Sequence, residues 1–467
     1  MVSPMEKPRV WHRIFRQDGF AVDASPLEAL AAAGVLTYPL DTAEPRGAGI
    51  VLFDQITAPL CEFACEASRN GVERVLAIAP SHEVLANGGA WRLLRSGVSD
   101  VFAWDHSPQP EREVAARLER WSAVDRLVDS PLVRSNLVGR SPGWISMLRQ
   151  VVEVATFTDS ALLITGESGT GKELVARLVH SLDPRQRKNE LVVLDCTTIV
   201  PELSGSEFFG HERGAFTGAT GPRDGAFALA DHGTLFLDEV GELAPSLQAQ
   251  LLRGVQEHTF KRVGGNSWKR AEFRLVCATN RELLDEVARG RFRADLYYRI
   301  ASVVCHLPPL RDRPGDIIPL FQHFFMEHGA GNEPPELDEP VREYLLRREY
   351  PGNVRDLKQL VARIAYRHVG PGPITVGDLP EAEWPAVSVD EENWRGVALD
   401  TSIRRAVAQG VGLKEIGRLA TETAIRIALD DEEGNLQRAA QKLGVTDRAL
   451  QMRKAASRQN GPSAHPH

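Results

Sequence analysis

The sequence predicts an α/β chain with three parts, and three observations lead to that prediction. Short apolar runs alternate with helical patterns over residues 8–125, which indicates a doubly wound parallel sheet. A buried strand at 161–165 runs into a glycine-rich loop and an amphipathic helix, which indicates a second α/β unit. A glycine turn between two short helical patterns after residue 435 indicates an all-α end.

Length and composition limit the class of protein. At 467 residues the chain is too long for one core, and three domains are expected, over 8–125, 137–380 and 400–460. With 43% hydrophobic and 25% charged residues, it has the composition of a soluble globular protein. No apolar run approaches the roughly 20 residues needed to cross a bilayer, and residues 1–10 lack the apolar core of a signal peptide. A cytoplasmic protein with no membrane partner is expected.

Charge and cysteine content exclude two further classes of protein. The net charge of −8 argues against a protein coated in nucleic acid, although a local basic patch remains compatible with it. The five cysteines are scattered, with no Cys-x-x-Cys pair. Reduced, neutral thiols are therefore expected in place of a metal site.

The first part has strands predicted at 35–39, 49–53, 74–78 and 100–104. Their order resembles a response-regulator receiver domain, in which an aspartate closes the third strand. Asp54 stands in that place and is the candidate phosphoacceptor, and Asp23 is expected to close the first strand. The receiver's second acidic residue and its lysine after the fifth strand are missing, since that strand ends in Trp104, Asp105 and His106. A degenerate receiver is favoured over a phosphorylated one, and a plain surface carboxylate at Asp54 is the alternative.

The glycine-rich loop has the composition of a phosphate-binding loop. Its glycines permit the turn and a close approach of backbone to phosphate, while the following helix N-terminus and Lys172 favour negative charge. The strict pattern has Ser or Thr after the lysine, where this chain has Glu173, and either Glu173 or Thr170 is expected to help place Mg²⁺. The predicted ATP-binding residues of the loop are Gly166, Glu167, Ser168, Gly169, Thr170, Gly171, Lys172 and Glu173.

A second buried strand, 235–237, precedes Asp238 and Glu239. It delivers two carboxylates at its carboxyl end, where ligands bind in open α/β sheets. Asp238 is predicted to hold Mg²⁺, directly or through water, and Glu239 to polarise the attacking water, because phosphoryl transfer is catalysed mainly by positioning and charge neutralisation. An isolated Asp-Glu pair would be a solvated turn, but after a phosphate-binding loop it predicts an ATPase with Lys172, Asp238 and Glu239 as catalytic residues.

Between the loop and the carboxylates lies a hexapeptide that a generic ATPase does not need, formed by Gly214, Ala215, Phe216, Thr217, Gly218 and Ala219. The combination resembles the central AAA+ module of bacterial enhancer-binding proteins, which use ATP to remodel RNA polymerase carrying sigma-54. In that family the hexapeptide is the loop that touches the sigma factor, and a glutamate follows the lysine, as Glu173 does here. The alternative is a flexible Gly/Ala hairpin with a buried Phe216.

The resemblance implies roles for further residues. Asn280 would be the first sensor of the γ-phosphate, Arg355 the second sensor in a small helical lid, and Val138 part of the entry segment against the adenine. Arg293 and Arg299 would be arginine fingers that reach the ATP of a neighbouring subunit, where a guanidinium stabilises charge on the transferring phosphoryl group. The active form would then be a ring of identical subunits, by resemblance a hexamer.

One residue departs from the family pattern. The family commonly has asparagine in the position of Asp195, and that asparagine is thought to restrain the catalytic glutamate until the partner is engaged. An ionised Asp195 cannot donate a hydrogen bond and would repel Glu239 at close range. Altered coupling between hydrolysis and the sigma factor is therefore expected.

The C-terminal part predicts a helix-turn-helix, with a helix, glycine turn and N-cap over 435–446 and a second helix over 447–456. It resembles the Fis-type module that closes the family. Six Lys or Arg against one acid give residues 435–460 a charge of +5, which suits phosphate contact. The apolar spacing of helix 416–430 predicts a dimer on a two-fold DNA site, and a helical hairpin with a solvated basic face is the alternative. The predicted DNA-binding residues are Arg448, Gln451 and Met452 toward the groove and Lys454 and Arg458 on phosphates.

These features predict a sigma-54-dependent transcriptional activator that binds enhancer DNA and uses ATP and Mg²⁺ in an AAA+ ring to open the promoter complex. Its partners would be sigma-54, RNA polymerase, double-stranded DNA and further copies of itself, with regulation by the N-terminal domain. The rival is a DNA-binding regulator that uses ATP only as a ligand for assembly. Asp195 favours that rival, whereas Glu239 and the hexapeptide oppose it. A general AAA+ unfoldase is disfavoured by the helix-turn-helix.

Overall fold

The computed structural model divides the chain into two compact units, residues 1–381 and 382–467. It describes residues 7–15, 25–40, 45–185, 189–200, 203–328, 336–384, 397–408, 410–432, 435–446, 448, 450 and 451. Within these residues, no helix combines the length and the hydropathy that a bilayer crossing requires.

A parallel sheet of five strands opens the first unit. The strands are β1 (Arg9–Phe15), β2 (Leu36–Pro39), β3 (Gly49–Phe53), β4 (Val75–Ala79) and β5 (Asp100–Ala103), in the spatial order β2-β1-β3-β4-β5. The helices of this region are α1 (Ser25–Ala32), α2 (Ala58–Ser68), α3 (His82–Leu85), α4 (Gly89–Arg95) and α5 (Pro110–Val128). Leu30 and Leu118 pack on one face of the sheet and Leu60 and Leu93 on the other. The predicted doubly wound α/β arrangement is confirmed, with the strand order of flavodoxin-like folds.

The first strand is not where the sequence placed it. β1 ends at Phe15, between β2 and β3, and Asp23 lies outside the described residues. This strand was missed because its polar residues interrupt the apolar run, although Trp11 is fully buried and its indole N–H donates to the Gly47 carbonyl at 3.0 Å.

Acidic side chains follow two strands at the carboxyl edge of this sheet. Asp54 comes directly after β3, and Asp105 follows β5. The Asp105 carboxylate lies 3.1 Å from Nδ1 of His82 and accepts from the His82 backbone N–H at 2.9 Å. A histidine and a carboxylate thus meet where a working receiver has its lysine.

One arginine joins the N-terminal sheet region to the segment that follows. Helix α6 (Pro131–Arg134) follows α5 and leads to α7 (Pro142–Phe157), which packs on α5. Arg149 of α7 donates to the Asp125 carboxylate at 2.6 Å and to the Val72 and Gly71 carbonyls at 2.7 and 3.1 Å. Its side chain is only 13% exposed, so this polar contact is largely removed from solvent.

A second parallel sheet carries the predicted nucleotide site. The strands of this region are β6 (Leu162–Thr165), β7 (Leu191–Asp195), β8 (Thr234–Asp238), β9 (Thr259–Phe260), β10 (Lys269–Arg270), β11 (Arg274–Thr279) and β12 (Val303–His306). Five of them form the sheet in the order β12-β6-β11-β8-β7, while β9 and β10 form a separate antiparallel hairpin. The helices after α7 are α8 (Lys172–Leu182), α9 (Ser204–Phe209), α10 (Ala226–Leu229), α11 (Pro245–Glu257), α12 (Leu283–Ala288) and α13 (Ala294–Ile300).

The central strands of this sheet are apolar because both faces are covered. Leu162, Phe236 and Val276 are buried against α7 and α8, and Leu163 and Leu237 belong to the core on the opposite face. Parallel strands place all their carboxyl ends at one edge, so the polar residues that follow β6, β8 and β11 are brought together there.

A small helical lid closes the first unit, as predicted. It consists of α14 (Ile317–Glu327), α15 (Glu339–Arg347) and α16 (Asn353–Arg367), packed around Phe321, Leu345 and Leu360. The lid has a core of its own because the apolar residues of all three helices face inward.

The second unit is helical in its described residues. Its helices are α17 (Val397–Ala408), α18 (Leu413–Asp431) and α19 (Leu436–Lys442). The Asn435 side chain caps α19 by accepting from two backbone N–H groups at 3.1 and 3.2 Å, and Gly444 turns the chain with φ 65°. Leu450 then donates to Thr446 in a new helical turn that contains Arg448 and Gln451. Met452, Lys454 and Arg458, predicted to contact DNA, lie outside the described residues.

All five cysteines are unpaired thiols, and three of them lie inside the second sheet region. Burial raises the pKa of Cys196 and Cys305 to about 12 and also raises the pKa of Cys277 well above its ordinary value. Cys65, on α2, is exposed.

Candidate active site

The phosphate-binding loop connects β6 to α8, as the motif requires. Gly166, Gly169 and Gly171 have positive φ angles of 148°, 79° and 106°, which a side chain would disfavour. Lys172 opens α8 and is buried, with Nζ donating to the Gly166 carbonyl at 3.1 Å. The buried Thr170 hydroxyl donates to the Glu167 carbonyl at 2.8 Å, which closes the loop on itself.

The two carboxylates after β8 meet the lysine of this loop. Oε1 of Glu239 lies 3.1 Å from Nζ of Lys172, and Oε2 accepts from the backbone N–H of Asn280 at 3.0 Å. Glu239 has φ 48°, a left-handed conformation that is uncommon outside glycine. The ends of β6, β8 and β11 therefore converge on one carboxylate.

Asp238 has the chemistry of a magnesium ligand in this cluster. Burial raises the pKa of its carboxyl above the ordinary value, and the neighbouring charge of Glu239 raises it further. Mg²⁺ takes carboxylate oxygens together with phosphate oxygens, so Asp238 fits a metal held between protein and nucleotide. The other predicted ligand, Glu173, is exposed and pairs with Arg177 at 2.7 Å along α8.

Asp195 ends β7 opposite Asp238 in the register of the sheet. Its carboxylate accepts from the Thr197 backbone N–H at 2.9 Å and from the Thr197 hydroxyl at 2.7 Å. These bonds hold the Asp195 carboxylate within its own turn. Its charge contributes to the raised pKa of Asp238.

The lid contacts the phosphate-binding loop through the predicted Arg355 and through Asn353 and Arg311, to which the sequence analysis assigned no role. Asn353 is buried and donates to the Glu167 carboxylate and the Ser168 carbonyl, both at 3.0 Å. Arg311 donates to both Glu167 oxygens at 2.6 and 2.9 Å, and these bonds lower the pKa of Glu167 to about 2, with a smaller contribution from Asn353. Arg355, which was predicted, donates to the Ser168 hydroxyl at 3.2 Å.

Gly169→Ala tests the close approach of lid and loop. A Cβ on Gly169 would lie 2.1 Å from the Gly352 carbonyl oxygen at a φ of 79°, so the lid would have to move. Overpacking of this kind costs about 1–3 kcal/mol, and we expect ATP affinity to fall roughly tenfold in calorimetric titrations. Gly143→Ala is the matched control because its Cβ would meet nothing within 4 Å. Equal affinity in the two variants would contradict a coupling of lid position to ATP binding.

An apolar cleft adjoins the phosphate-binding loop on the lid side. Val138, which the resemblance assigns to the segment against the adenine, lines it. The other lining residues are Asn136, Leu137, Trp144, Thr170, Gly171, Leu174, Arg313, Leu320, His323, Phe324 and Val354. Cleft walls from both the sheet region and the lid suit a flat aromatic base.

The two candidate arginine fingers lie at opposite ends of α13. Arg293 precedes the helix and pairs with Asp295 through two bonds of 3.0 and 2.7 Å. Arg299 donates to the Val255 carbonyl at 3.1 Å. Among the described residues of this subunit, neither arginine contacts Lys172 or Glu239.

The hexapeptide forms the tip of a loop with a short paired base. His211 and Arg223 exchange two backbone hydrogen bonds of 3.0 Å at the base, and Gly214 donates to the Ala219 carbonyl at 2.9 Å across the tip. Phe216 is 37% exposed, so the alternative of a buried phenylalanine is wrong. Its ring stands edge-on to His211, with centroids 4.9 Å apart. Thr217 is exposed at the tip.

Comparison with known proteins agrees with this geometry. Residues 137–306 match the Sigma-54 interaction domain, and residues 311–392 match the AAA+ ATPase lid domain. The chain is 39% identical over 368 residues to the Transcriptional regulatory protein ZraR of Klebsiella oxytoca, a match that covers 77% of this chain and 78% of ZraR. The chain belongs to the family of sigma-54-dependent AAA+ transcriptional activators.

Other similar proteins overlap this activator to different extents. The Nif-specific regulatory protein of Azorhizobium caulinodans is 48% identical over 230 residues, which cover 49% of this activator but only 37% of that protein. The crystal structure of NtrX from Brucella abortus in complex with ATP has 25% sequence identity and a TM-score of 0.48, covering 96% of this activator and 99% of that chain.

Proposed function

We propose that this activator hydrolyses ATP in a ring of identical subunits and uses the energy to open promoter complexes of sigma-54 RNA polymerase. The observation that carries the proposal is the meeting of Lys172 and Glu239 at 3.1 Å beside the partly buried Asp238. We assign regulation to 8–125, ATP hydrolysis and sigma-factor contact to 137–380, and DNA binding to 400–460.

In the proposed reaction, the loop glycines and Lys172 would bind the phosphates, and Asp238 and Glu173 would hold Mg²⁺. Bound Mg²⁺ supplies neutralisation of phosphate charge. Glu239 orients and polarises the attacking water once Lys172 has turned from it toward phosphate. Asn280 donates its backbone N–H to Glu239, which supports a sensor at this point because the γ-phosphate would lie beside the same carboxylate.

The fingers Arg293 and Arg299 would act on a neighbouring subunit's ATP. Their placement at the two ends of α13, with no contact to their own Lys172 or Glu239 within the described residues, supports action in trans. Two hydrogen bonds to Asp295 hold the half-exposed Arg293 side chain at the surface. A ring then follows because each site is complete only with a second copy.

The hexapeptide loop would contact sigma-54 through Phe216 and Thr217. The partial exposure of Phe216 supports this contact, since an aromatic side chain at a loop tip offers apolar area to a partner. At the base of the loop, the backbone N–H of Val263, after β9, donates to the carbonyl of Gly210, after α9. Movements of the ATPase core would therefore reach the tip.

The second unit would bind a two-fold DNA site as a dimer. Leu419, Ala420, Thr423 and Ile427 of α18 are exposed, which supports their use in dimerisation. Arg448 and Gln451 would face the groove, and Met452, Lys454 and Arg458 complete the proposed contact set.

The N-terminal region would regulate the ATPase as a degenerate receiver. Asp105 and His82 at the carboxyl edge support this proposal because the lysine of a working receiver is replaced by a carboxylate. Asp54 is then not a phosphoacceptor. Phosphodonor labelling that is present in the wild type and absent in Asp54→Ala would contradict the degenerate receiver.

Open-complex formation on a sigma-54 promoter, with its polymerase and ATP, tests the proposed function. We expect the wild type to open the promoter and Thr217→Ala to lose opening while it keeps ATP hydrolysis, because Thr217 is exposed at the loop tip and is not among the residues assigned to ATP. Thr220→Ala is the matched control, since Thr220 is also exposed but lies outside the hexapeptide. Equal opening by both variants would reject the assigned contact. DNA binding and ATP binding without hydrolysis or opening in the wild type would favour the rival, ATP as an assembly ligand only.

A further inference from the structure

A buried amide on α11 links the segment after the catalytic carboxylate to the segment that precedes α13. Gln248 is 1% exposed. Its Nε2 donates to the Leu243 carbonyl at 2.8 Å and to the Arg291 carbonyl at 2.9 Å, and its Oε1 accepts from the Arg293 backbone N–H at 2.9 Å. Both amide protons and the amide oxygen are thus used, all on backbone groups.

The two segments joined by Gln248 belong to different parts of the proposed ATPase cycle. Leu243 ends the turn that begins at Glu239, and within that turn the Glu242 backbone N–H donates to the Glu239 carbonyl at 2.9 Å. Arg293 is the candidate finger and the residue that precedes α13. The Gln248 side chain therefore connects the turn that follows Glu239 to Arg293, the finger that the same subunit presents to its neighbour.

A second buried group holds the finger segment from the other side. The Glu286 carboxylate accepts from Nε of Arg291 at 2.6 Å. The backbone carbonyl of Glu286 accepts from the backbone N–H groups of Arg291 and Phe292 at 2.9 and 3.2 Å. Arg281, next to Asn280, lies 3.7 Å from the same carboxylate. The segment before Arg293 is therefore braced on both sides, and Gln248 is the brace that bonds Arg293 itself.

Packing alone does not account for a glutamine at this position. The neighbouring residues of the buried face of α11, Leu247 and Leu251, are apolar and join the core of the sheet. Burying an amide is unfavourable unless its polar atoms are paired, and an apolar side chain would fill the same volume without that requirement. Three backbone groups would then lose their partner, so the amide specifies where the finger segment lies.

We propose that Gln248 is a positioning residue for Arg293. This proposal rests on the proposed ring, in which each subunit supplies its arginine fingers in trans. Gln248 transmits a displacement of the Glu239 turn to Arg293, so that the state of one subunit's ATP site sets the finger offered to the next subunit. Gln248 touches neither nucleotide nor water in this proposal. Its loss harms the neighbour's reaction and leaves the subunit's own ATP binding intact.

Gln248→Met, in the full-length protein, tests this inference. We expect kcat for ATP to fall about tenfold, the effect of 1.4 kcal/mol on a barrier, with the Kd for ATP within about twofold of the wild type. The variant is then mixed with excess Glu239→Gln subunits, which are inactive but carry an intact finger. The rate per Gln248→Met subunit is expected to rise toward that of the wild type, because its own site now receives a correctly placed Arg293.

Arg293→Ala, mixed in the same way, separates this inference from the proposed function. If Arg293→Ala is rescued by Glu239→Gln subunits and Gln248→Met is not, the positioning role is overturned while the trans fingers stand. If Arg293→Ala alone keeps full activity, the trans fingers and the inference both fall. An unchanged kcat in Gln248→Met, or a loss confined to ATP affinity, also overturns the positioning role.

A second variant is used if thermal melting shows that Gln248→Met is unfolded. Gln248→Glu keeps the acceptor for the Arg293 N–H but loses the two donors, and it is tested by the same rescue.

Discussion

Glu239→Gln is expected to lower ATP hydrolysis by about 10²–10⁴-fold while ATP binding stays at least as tight as in the wild type. The amide keeps the shape of the side chain, but it can no longer accept a proton from water as a carboxylate does. It also removes the charge that holds Nζ of Lys172 at 3.1 Å, which leaves the lysine available to phosphate. Steady-state hydrolysis and calorimetric ATP binding on the same preparation give the two quantities.

Glu257→Gln is the control for this change. Glu257 is an exposed glutamate at the end of α11 that pairs with Arg253, so its loss removes one surface carboxylate without touching the site. We expect it to hydrolyse ATP as the wild type does. A parallel loss of ATP binding and hydrolysis in Glu239→Gln would mean that the carboxylate serves the structure of the loop and not the chemistry.

Arg293→Ala is expected to reduce hydrolysis about 10³-fold, the lower end of what an arginine finger contributes. The loss should appear in kcat, with subunits still able to bind ATP, because the guanidinium acts on charge that develops during transfer. Arg293→Lys is expected to recover little, since a single ammonium does not reproduce the planar guanidinium that now pairs twice with Asp295. Hydrolysis is measured as a function of protein concentration so that assembly and catalysis are separated.

Arg347→Ala provides the comparison for the arginine variants. Arg347 is exposed on α15 and pairs with Glu343 within the same helix, and its removal is expected to leave hydrolysis unchanged. Full activity of Arg293→Ala over the whole concentration range would reject the finger, and a loss cured simply by higher protein concentration would assign Arg293 to assembly.

Residues whose chemistry is local in sequence were predictable. Lys172, Asp238 and Asn280 each follow or adjoin an apolar strand, and parallel strands necessarily bring their carboxyl ends to one edge. The helical pattern around Asn435 and Gly444 likewise predicts α19 and its turn, because capping and left-handed turns depend on neighbouring residues.

Residues whose role depends on distant contacts were not predictable. Asn353 and Arg311 lie 186 and 144 positions from Glu167, and no periodicity in a single sequence encodes those pairs. On α11 the helical spacing with Leu251 and Val255 places Gln248 on the buried face. The bonds of its amide to Arg291 and Arg293 were not predictable, because those residues lie 43 and 45 positions away. The expected repulsion between Asp195 and Glu239 likewise depends on the direction of the Asp195 side chain. That carboxylate accepts hydrogen bonds from the backbone N–H and the hydroxyl of Thr197.

The buried cysteines have a consequence for oxidation at the carboxyl edge of the second sheet. Cys196 follows β7 and donates its backbone N–H to the Asp238 carbonyl at 3.0 Å, yet its raised pKa keeps the sulfur as a thiol at neutral pH. Peroxide and alkylating reagents attack thiolates, so they find no nucleophile beside the carboxylates. We expect a maleimide dye to react first at the exposed Cys65 on α2 and so to label the N-terminal sheet region.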